Sequence, residues 1–109
     1  MYEQKDLYIV DFKDVKHYLE IHTILKEGLC FPDYYGRNWD AFWDCLTDMY
    51  NESEINIEIN NLDVVQELFP TAVTQIIECL TDFKHNYNDE FSNLINIKIQ
   101  NGNNVYYIE

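Results

Sequence analysis

Ile55-Asn56-Ile57-Glu58-Ile59 alternates apolar and polar residues with period two, the pattern of a β-strand with one face on a core and the other toward water. Ile95-Asn96-Ile97-Lys98-Ile99 alternates in the same way. Upstream, Leu7-Tyr8-Ile9-Val10 is a short apolar run before a charged stretch, as expected of a strand buried at the start of an α/β unit. Downstream, Asn101-Gly102-Asn103-Asn104 precedes Val105-Tyr106-Tyr107-Ile108, which predicts a hairpin around the glycine and a fourth strand antiparallel to the third. The segments between these strands have helical spacing. Asp14 is placed as the N-cap of a first helix over about 14–27, with Val15, Tyr18, Leu19, His22 and Leu25 on one face and Gly28 ending it in a left-handed conformation. Asn38 caps a second helix over about 39–50, whose apolar stripe is Trp39, Phe42, Leu46 and Met49. Asn61 caps a short third helix carrying Val64, Val65 and Leu68, and Pro70 interrupts it. A fourth helix over about 71–86 turns Val73, Ile76, Ile77, Leu80, Phe83 and Tyr87 inward and Gln75, Glu78 and Asp82 outward. Asn86 to Ser92 reads as a turn region. Two helices separate successive early strands, long enough for right-handed crossovers, so the first three strands are expected to be parallel. The expected fold is α/β, a small three-stranded parallel sheet with an added antiparallel strand and four helices mainly on one face. With no linker or repeat, residues 1–109 read as a single domain.

The charge balance narrows the partners. Seven Lys and Arg against 20 Asp and Glu leave a net charge of -13, a surface that repels nucleic acid and anionic bilayers and favours basic proteins. The acids are scattered among 16% aromatic residues, so the chain is expected to fold. Cys30, Cys45 and Cys79 form no close pair and no CxxC, which predicts neither a disulfide framework nor a zinc site and fits a reducing cytoplasm. Met1-Tyr2-Glu3-Gln4-Lys5-Asp6 lacks the features of a signal peptide, and no apolar run approaches the roughly 18 residues needed to span a bilayer.

The usual catalytic furniture is missing. Ser53 and Ser92 lie in polar connecting segments without a G-x-S-x-G turn, and the three glycines assemble neither a phosphate loop nor a dinucleotide fingerprint, so no cofactor is expected. His17 and His22 stand five apart rather than four, which predicts a surface His17 and a satisfied, partly buried His22 rather than a metal pair. The second helix is more unusual. Asp40, Asp44 and Asp48 recur at i, i+4 and i+8, with Thr47 beside them and Trp43 on the border of the apolar face. Like charges at this spacing repel by roughly 0.2–0.5 kcal/mol per pair, and only Asp40 lies where the helix dipole favours an anion. The preceding loop, Leu29 to Arg37, is aromatic and is broken by Pro32 and by Gly36, where positive φ is permitted. A solvated face of an acidic protein would look like this. So would an interface for a basic partner, with Tyr34 and Trp43 left beside the carboxylates.

The run Phe31-Pro32-Asp33-Tyr34-Tyr35-Gly36-Arg37-Asn38-Trp39-Asp40-Ala41-Phe42-Trp43-Asp44-Cys45-Leu46-Thr47-Asp48 resembles the signature segment of the barstar family of intracellular ribonuclease inhibitors, through P-x-Y-Y-G-x-N-x-D-A-x-W-D-C-L-T. The likeness extends through Ile21-His22 and Leu25-Lys26 and the order of elements to the third strand. The resemblance implies a small α/β fold with a parallel sheet. It also implies that the second helix and its preceding loop plug the cleft of a basic ribonuclease, with carboxylates in the places of RNA phosphates. Residue by residue it implies Asp44 as the principal phosphate mimic and Asp40 as its acidic neighbour, with Tyr34 and Trp43 in aromatic contact. Asn38 and Gly36 match positions of the binding loop, Thr47 falls within the signature, and Glu78, or else Asp82, matches a carboxylate on the last long helix. Arg37 departs by placing a positive charge in the loop, Asp48 adds an acid at the far end of the stripe, and Asn101–Glu109 continues past the family's last strand.

The function expected is a non-catalytic inhibitor, monomeric when free, that binds a basic barnase-type ribonuclease 1:1 and gives the producing cell immunity to it. Two alternatives remain at this point. One is an immunity or antitoxin protein, or a nucleic-acid mimic, aimed at a different basic toxin or DNA-binding protein. The other is an enzyme using Asp40 and Asp44 for acid–base or metal work, ranked last because two carboxylates on one exposed helix lack a pocket and further ligands.

Overall fold

The computed structural model describes residues 6–109; Met1–Lys5, most of the segment read above for signal features, and the side chain of Asp89 lie outside the described residues. β1 (Tyr8–Asp11) leads through α1 (Tyr18–Gly28) and α2 (Trp39–Met49) to β2 (Ile55–Asn60). From there α3 (Leu62–Leu68), α4 (Pro70–His85) and a single turn, α5 (Asp89–Ser92), lead to β3 (Ile95–Asn101), and β4 (Asn104–Tyr107) follows. The strands lie in chain order, β1 to β3 parallel and β4 antiparallel to β3. Ile57 lies between Tyr8 and Ile97, and Ile59 between Val10 and Ile99, so two apolar rows cross the inner face. The outer face carries Asn56, Glu58, Asn96 and Lys98, and the last of these reaches Glu58 at 3.7 Å. No described helix is long and apolar enough to cross a membrane.

The first strand differs from expectation. It is not buried on both sides: Tyr8 and Val10 enter the core, while Ile9 is 50% exposed and Leu7 45%. The helices cover only one face of the sheet, so an edge strand with an unbroken apolar run must leave half of it outside.

Helix α1 begins at Tyr18, not at Asp14. Phe12 and Val15 are buried beforehand, joined by a turn in which the Val15 amide donates to the Phe12 carbonyl, and this holds residues 12–17 out of helical geometry. The open amides of Lys16 and His17 donate instead to the Glu20 carboxylate at 2.8 and 2.7 Å, and those bonds hold Glu20 below its ordinary pKa. The buried face is Ile21, His22 and Leu25, while Tyr18 and Leu19 remain exposed.

At the other end of α1, Gly28 is the last helical residue and has no positive φ; Cys30 takes that conformation at 57°. The Phe31 amide donates to the Lys26 carbonyl and the Cys30 amide to Glu27, a Schellman ending with cysteine where glycine is usual. Gly28 answers a different need, since a Cβ there would lie 2.7 Å from both the Ile9 carbonyl oxygen and Val10 Cγ2. The glycine lets α1 press onto β1.

Three smaller corrections follow from packing. Asn61 does stand at the N-cap of α3, but at φ 59° with no side-chain cap; its Nδ2 donates to Asp11 and its backbone amide to Gln100 Oε1, joining the ends of β1, β2 and β3. Helix α3 buries Leu62 and Val65 rather than Leu68. The predicted turn after α4 contains one helical turn, α5, and Lys84 Nζ ties it to β3 by donating to the Ser92 and Ile95 carbonyls. The hairpin forms as predicted, with Gly102 at φ 65° and its amide donating to Asp63 Oδ1 at 2.9 Å.

The two ends of α1 can be separated by substitution. Gly28→Ala is expected to destabilise the chain by about 1–3 kcal/mol through overpacking against β1, despite alanine's higher helix propensity. Cys30→Gly is expected to leave stability equal or higher, by up to about 1 kcal/mol, because it relieves the left-handed backbone. Urea denaturation of the two variants checks both signs.

Candidate functional site

Helix α2 begins as its sequence predicts. Asn38 Oδ1 accepts from the Ala41 amide at 2.7 Å, and Asn38 Nδ2 donates back to the Gly36 carbonyl at 3.2 Å. One amide group therefore starts the helix and fixes the loop before it. Phe42, Cys45, Leu46 and Met49 anchor the inner side of α2 in the core, and its main helical support is α4. Asp40 stands in the first turn, where the dipole favours an anion, whereas Asp48 lies near the C-terminal end with no basic residue in the last turn to offset it.

The loop divides its two tyrosines. Tyr35 is buried and its hydroxyl lies 2.6 Å from His22 Nδ1, whereas Tyr34 is 75% exposed. Beneath the loop His22 is 1% exposed and packs on Trp39, whose indole donates to the Tyr18 hydroxyl at 3.0 Å. Phe31 packs against both Tyr35 and Phe42. At the loop's edge Lys26 meets Asp33 at 3.1 Å, an exposed pair of small energetic weight. His22 is thus the satisfied, buried histidine expected, and His17 is exposed. Burial foremost, and then the charge of Arg37, hold His22 below its ordinary pKa, while burial pushes the Tyr35 phenol up.

Tyr34, Tyr35, Gly36, Ala41, Asp44, Cys45 and Asp48 line a shallow depression of about 240 Å³. Of the residues singled out from sequence, this brings together Tyr34, Gly36, Asp44 and Asp48. Asp40 is exposed on the same helix but lies toward α4, where its charge acts with those of Asp82 and Glu78 on Cys79. Burial first, and then these three carboxylates, push the Cys79 thiol up to about 11. Glu78 and Asp82 both belong to that acidic ridge, and both are exposed. Trp43 is half-buried, packed in part against the core. Thr47 is half-buried too, and its hydroxyl donates to the Asp44 carbonyl at 2.9 Å, so it serves the helix. Gly36 does not use positive φ: Arg37 does, at 51°, and a Cβ on Gly36 would meet only ordinary contacts at 3.4 and 3.5 Å. The sequence reading missed Tyr18, which completes the support through the Trp39 indole. A larger hollow of about 510 Å³, lined by Asp6, Tyr8, Met49, Ser53 and Asn56 among others, lies at the starts of β1 and β2 and shares no lining residue with the depression.

This loop and helix lie inside a match, over residues 6–97, to the family described as Barstar (barnase inhibitor). The chain belongs to the barstar family. It is also 32% identical over 87 residues to a Bacillus subtilis (strain 168) protein named "Putative ribonuclease inhibitor YrdF", covering 80% of this chain and 94% of that protein. Barstar-family proteins are inhibitors, not enzymes, which sets aside the reading of Asp40 and Asp44 as an acid–base pair. Among the described residues no group of three or more His, Cys, Asp and Glu side chains is placed to hold a metal ion. The parallel sheet and crossovers agree with the barstar-like fold, with α5 as a fifth helix beyond the four expected.

The buried histidine sets a pH dependence. Its folded-state pKa is depressed, so the unfolded chain binds the proton more readily, and His22 burial stabilises fully only above about pH 6.5. As pH falls below that value the contribution is expected to decline by at most about 1.4 kcal/mol per pH unit until the folded state also protonates. Urea unfolding between pH 5 and 7, on the native chain and His22→Gln, checks this: the part of the slope that the variant loses belongs to His22.

Proposed function

We propose that this chain is a stoichiometric inhibitor that binds a basic, barnase-type ribonuclease 1:1 and blocks its RNA-binding cleft with α2 and the loop before it. The observation that carries this reading is the depression where exposed Tyr34 meets Asp44 and Asp48, on a helix held rigid from behind. A ribonuclease must hold a polyanion, so its cleft presents cations at phosphate spacing. Carboxylates on a fixed helix can occupy those places without a large ordering cost. Asp44 is the principal phosphate mimic, with Asp48 beside it and Tyr34 as the aromatic contact. Asp40 and Glu78, with Asp82 in reach, extend the acidic surface toward α4, and the exposed edge of Trp43 adjoins it. Asn38, Gly36 and Thr47 contribute by shaping the backbone that carries these groups. The net charge of -13 steers a basic partner and discourages self-association, which supports a monomer when free. The role is immunity: protecting the reducing interior of the producing cell from the nuclease.

Titration into a fixed amount of a secreted barnase-type ribonuclease cleaving a fluorogenic RNA tests the reading. Activity is expected to fall sharply near one equivalent. Asp44→Ala is expected to raise the inhibition constant at least about 30-fold, the weight of an interface hot spot, with thermal stability unchanged or slightly higher because repulsion along α2 is relieved. Unfolding of that variant would make Asp44 structural. Absence of inhibition by the native chain would move the target to another class of basic protein.

A further inference from the structure

Arg37 is the chain's one arginine and the only cationic side chain between Lys26 and Lys84. It is exposed in the loop that carries Tyr34 and stands immediately before the N-cap of α2. Three features of this placement are unfavourable within the chain. A cation at a helix N-terminus opposes the dipole. The backbone is left-handed at φ 51°, a conformation in which the Cβ crowds the neighbouring carbonyl. Finally, no carboxylate among the described residues comes within 4.0 Å of the guanidinium, although Asp33, Asp40 and Asp44 share its segment. The conformation is fixed from both sides, since the Asn38 side chain bridges from the Ala41 amide to the Gly36 carbonyl across Arg37. The neighbouring glycine, where positive φ would be free of this crowding, does not take it.

A basic partner makes the placement more unfavourable still, because Arg37 is the one like charge carried into contact with it. The Asn38 bridge accounts for the backbone, but the exposed guanidinium is left without an ionic partner among the described residues, which points to a group supplied from outside. We propose that Arg37 is the specificity-determining residue of this inhibitor, a guanidinium fork held out to a carboxylate that the cognate ribonuclease carries at the rim of its cleft. The inference rests on the ribonuclease reading above and deepens it. The acids on α2 would suit any cleft built for phosphates, whereas Arg37 would suit only one whose rim bears an acid at this point. An arginine fits because its planar fork can meet both carboxylate oxygens, which a lysine cannot. Like charge against the rest of the cleft then penalises nucleases lacking that acid.

The test uses a set of barnase-type ribonucleases that differ in acidic residues around the cleft, with native chain, Arg37→Ala, Arg37→Lys, Arg37→Glu, Arg37→Gly and Asp44→Ala as inhibitors. Against the nuclease inhibited best, Arg37→Ala is expected to weaken inhibition at least 10-fold and Arg37→Glu further, with Arg37→Lys in between. Replacing the matching nuclease carboxylate by lysine is expected to restore the Arg37→Glu variant. Arg37→Gly, which relieves the backbone, is expected to lose inhibition while its Tm stays equal or rises, so the loss cannot come from unfolding. Simple attraction to a basic surface predicts the opposite sign. If Arg37→Ala and Arg37→Glu bind every nuclease as tightly as the native chain or tighter, the proposal is overturned, and continued failure of Asp44→Ala would show that the inhibitor reading survives it. No inhibition by the native chain across the set would overturn both.

Discussion

A helix with aspartates at positions 40, 44 and 48 and no basic residue in its last turn is not held by its own electrostatics. It is held by Phe42, Cys45, Leu46 and Met49 on its inner side, by the Asn38 cap, and by α4 behind it. The exposed half of α2 is therefore free to be electrostatically unfavourable. The division of labour continues in the loop, where Tyr35 is drawn inward to His22 while Tyr34 stays in solvent. The same few residues that build the core beneath the loop set the direction of the groups above it.

The sheet imposes its own geometry on this arrangement. Helices cover a single face, so the isoleucines of β2 and β3 alternate with polar residues that need no cover. Helix α2 rests mainly on α4, so its placement is set by a neighbouring helix more than by the sheet. The hairpin that completes the sheet is fastened to α3 through Asp63 and Gly102, and β4 lies beyond residues 6–97, the span of the family match. Beyond that match, β4 thus adds a strand to the sheet.

The elements legible in the sequence are those with a strong period and one competing partner. β2, β3, the hairpin and α2 with its Asn38 cap lie where alternation, a glycine turn and a capping amide place them. What escaped depends on neighbours distant in sequence. Gly28 looks like a helix terminator, yet it is the approach of β1 that requires it, and the left-handed residue moves to Cys30. Gly36 and Arg37 exchange roles in the same way, because the Asn38 side chain holds the Gly36 carbonyl. Asp14 loses α1 to His17 because Phe12 and Val15 are already committed to the core. Of the site, the spacing of the aspartates was readable. That Asp44 and Asp48 face Tyr34 while Asp40 joins Glu78 and Asp82 was not, since it depends on where α4 lies against α2.

The order of the strands in the sheet is the order of the strands in the chain. Each strand can therefore dock on one that has already left the ribosome, and none must be inserted between two that are paired. The loop and α2 emerge early, but α4, on which α2 rests, emerges later, and a domain generally folds as a unit. During synthesis the aspartates of α2 are present well before they are held in place. The binding surface comes into being only after α4 has followed α2, so a nascent or prematurely terminated chain that stops before α4 carries the residues of the site without its geometry.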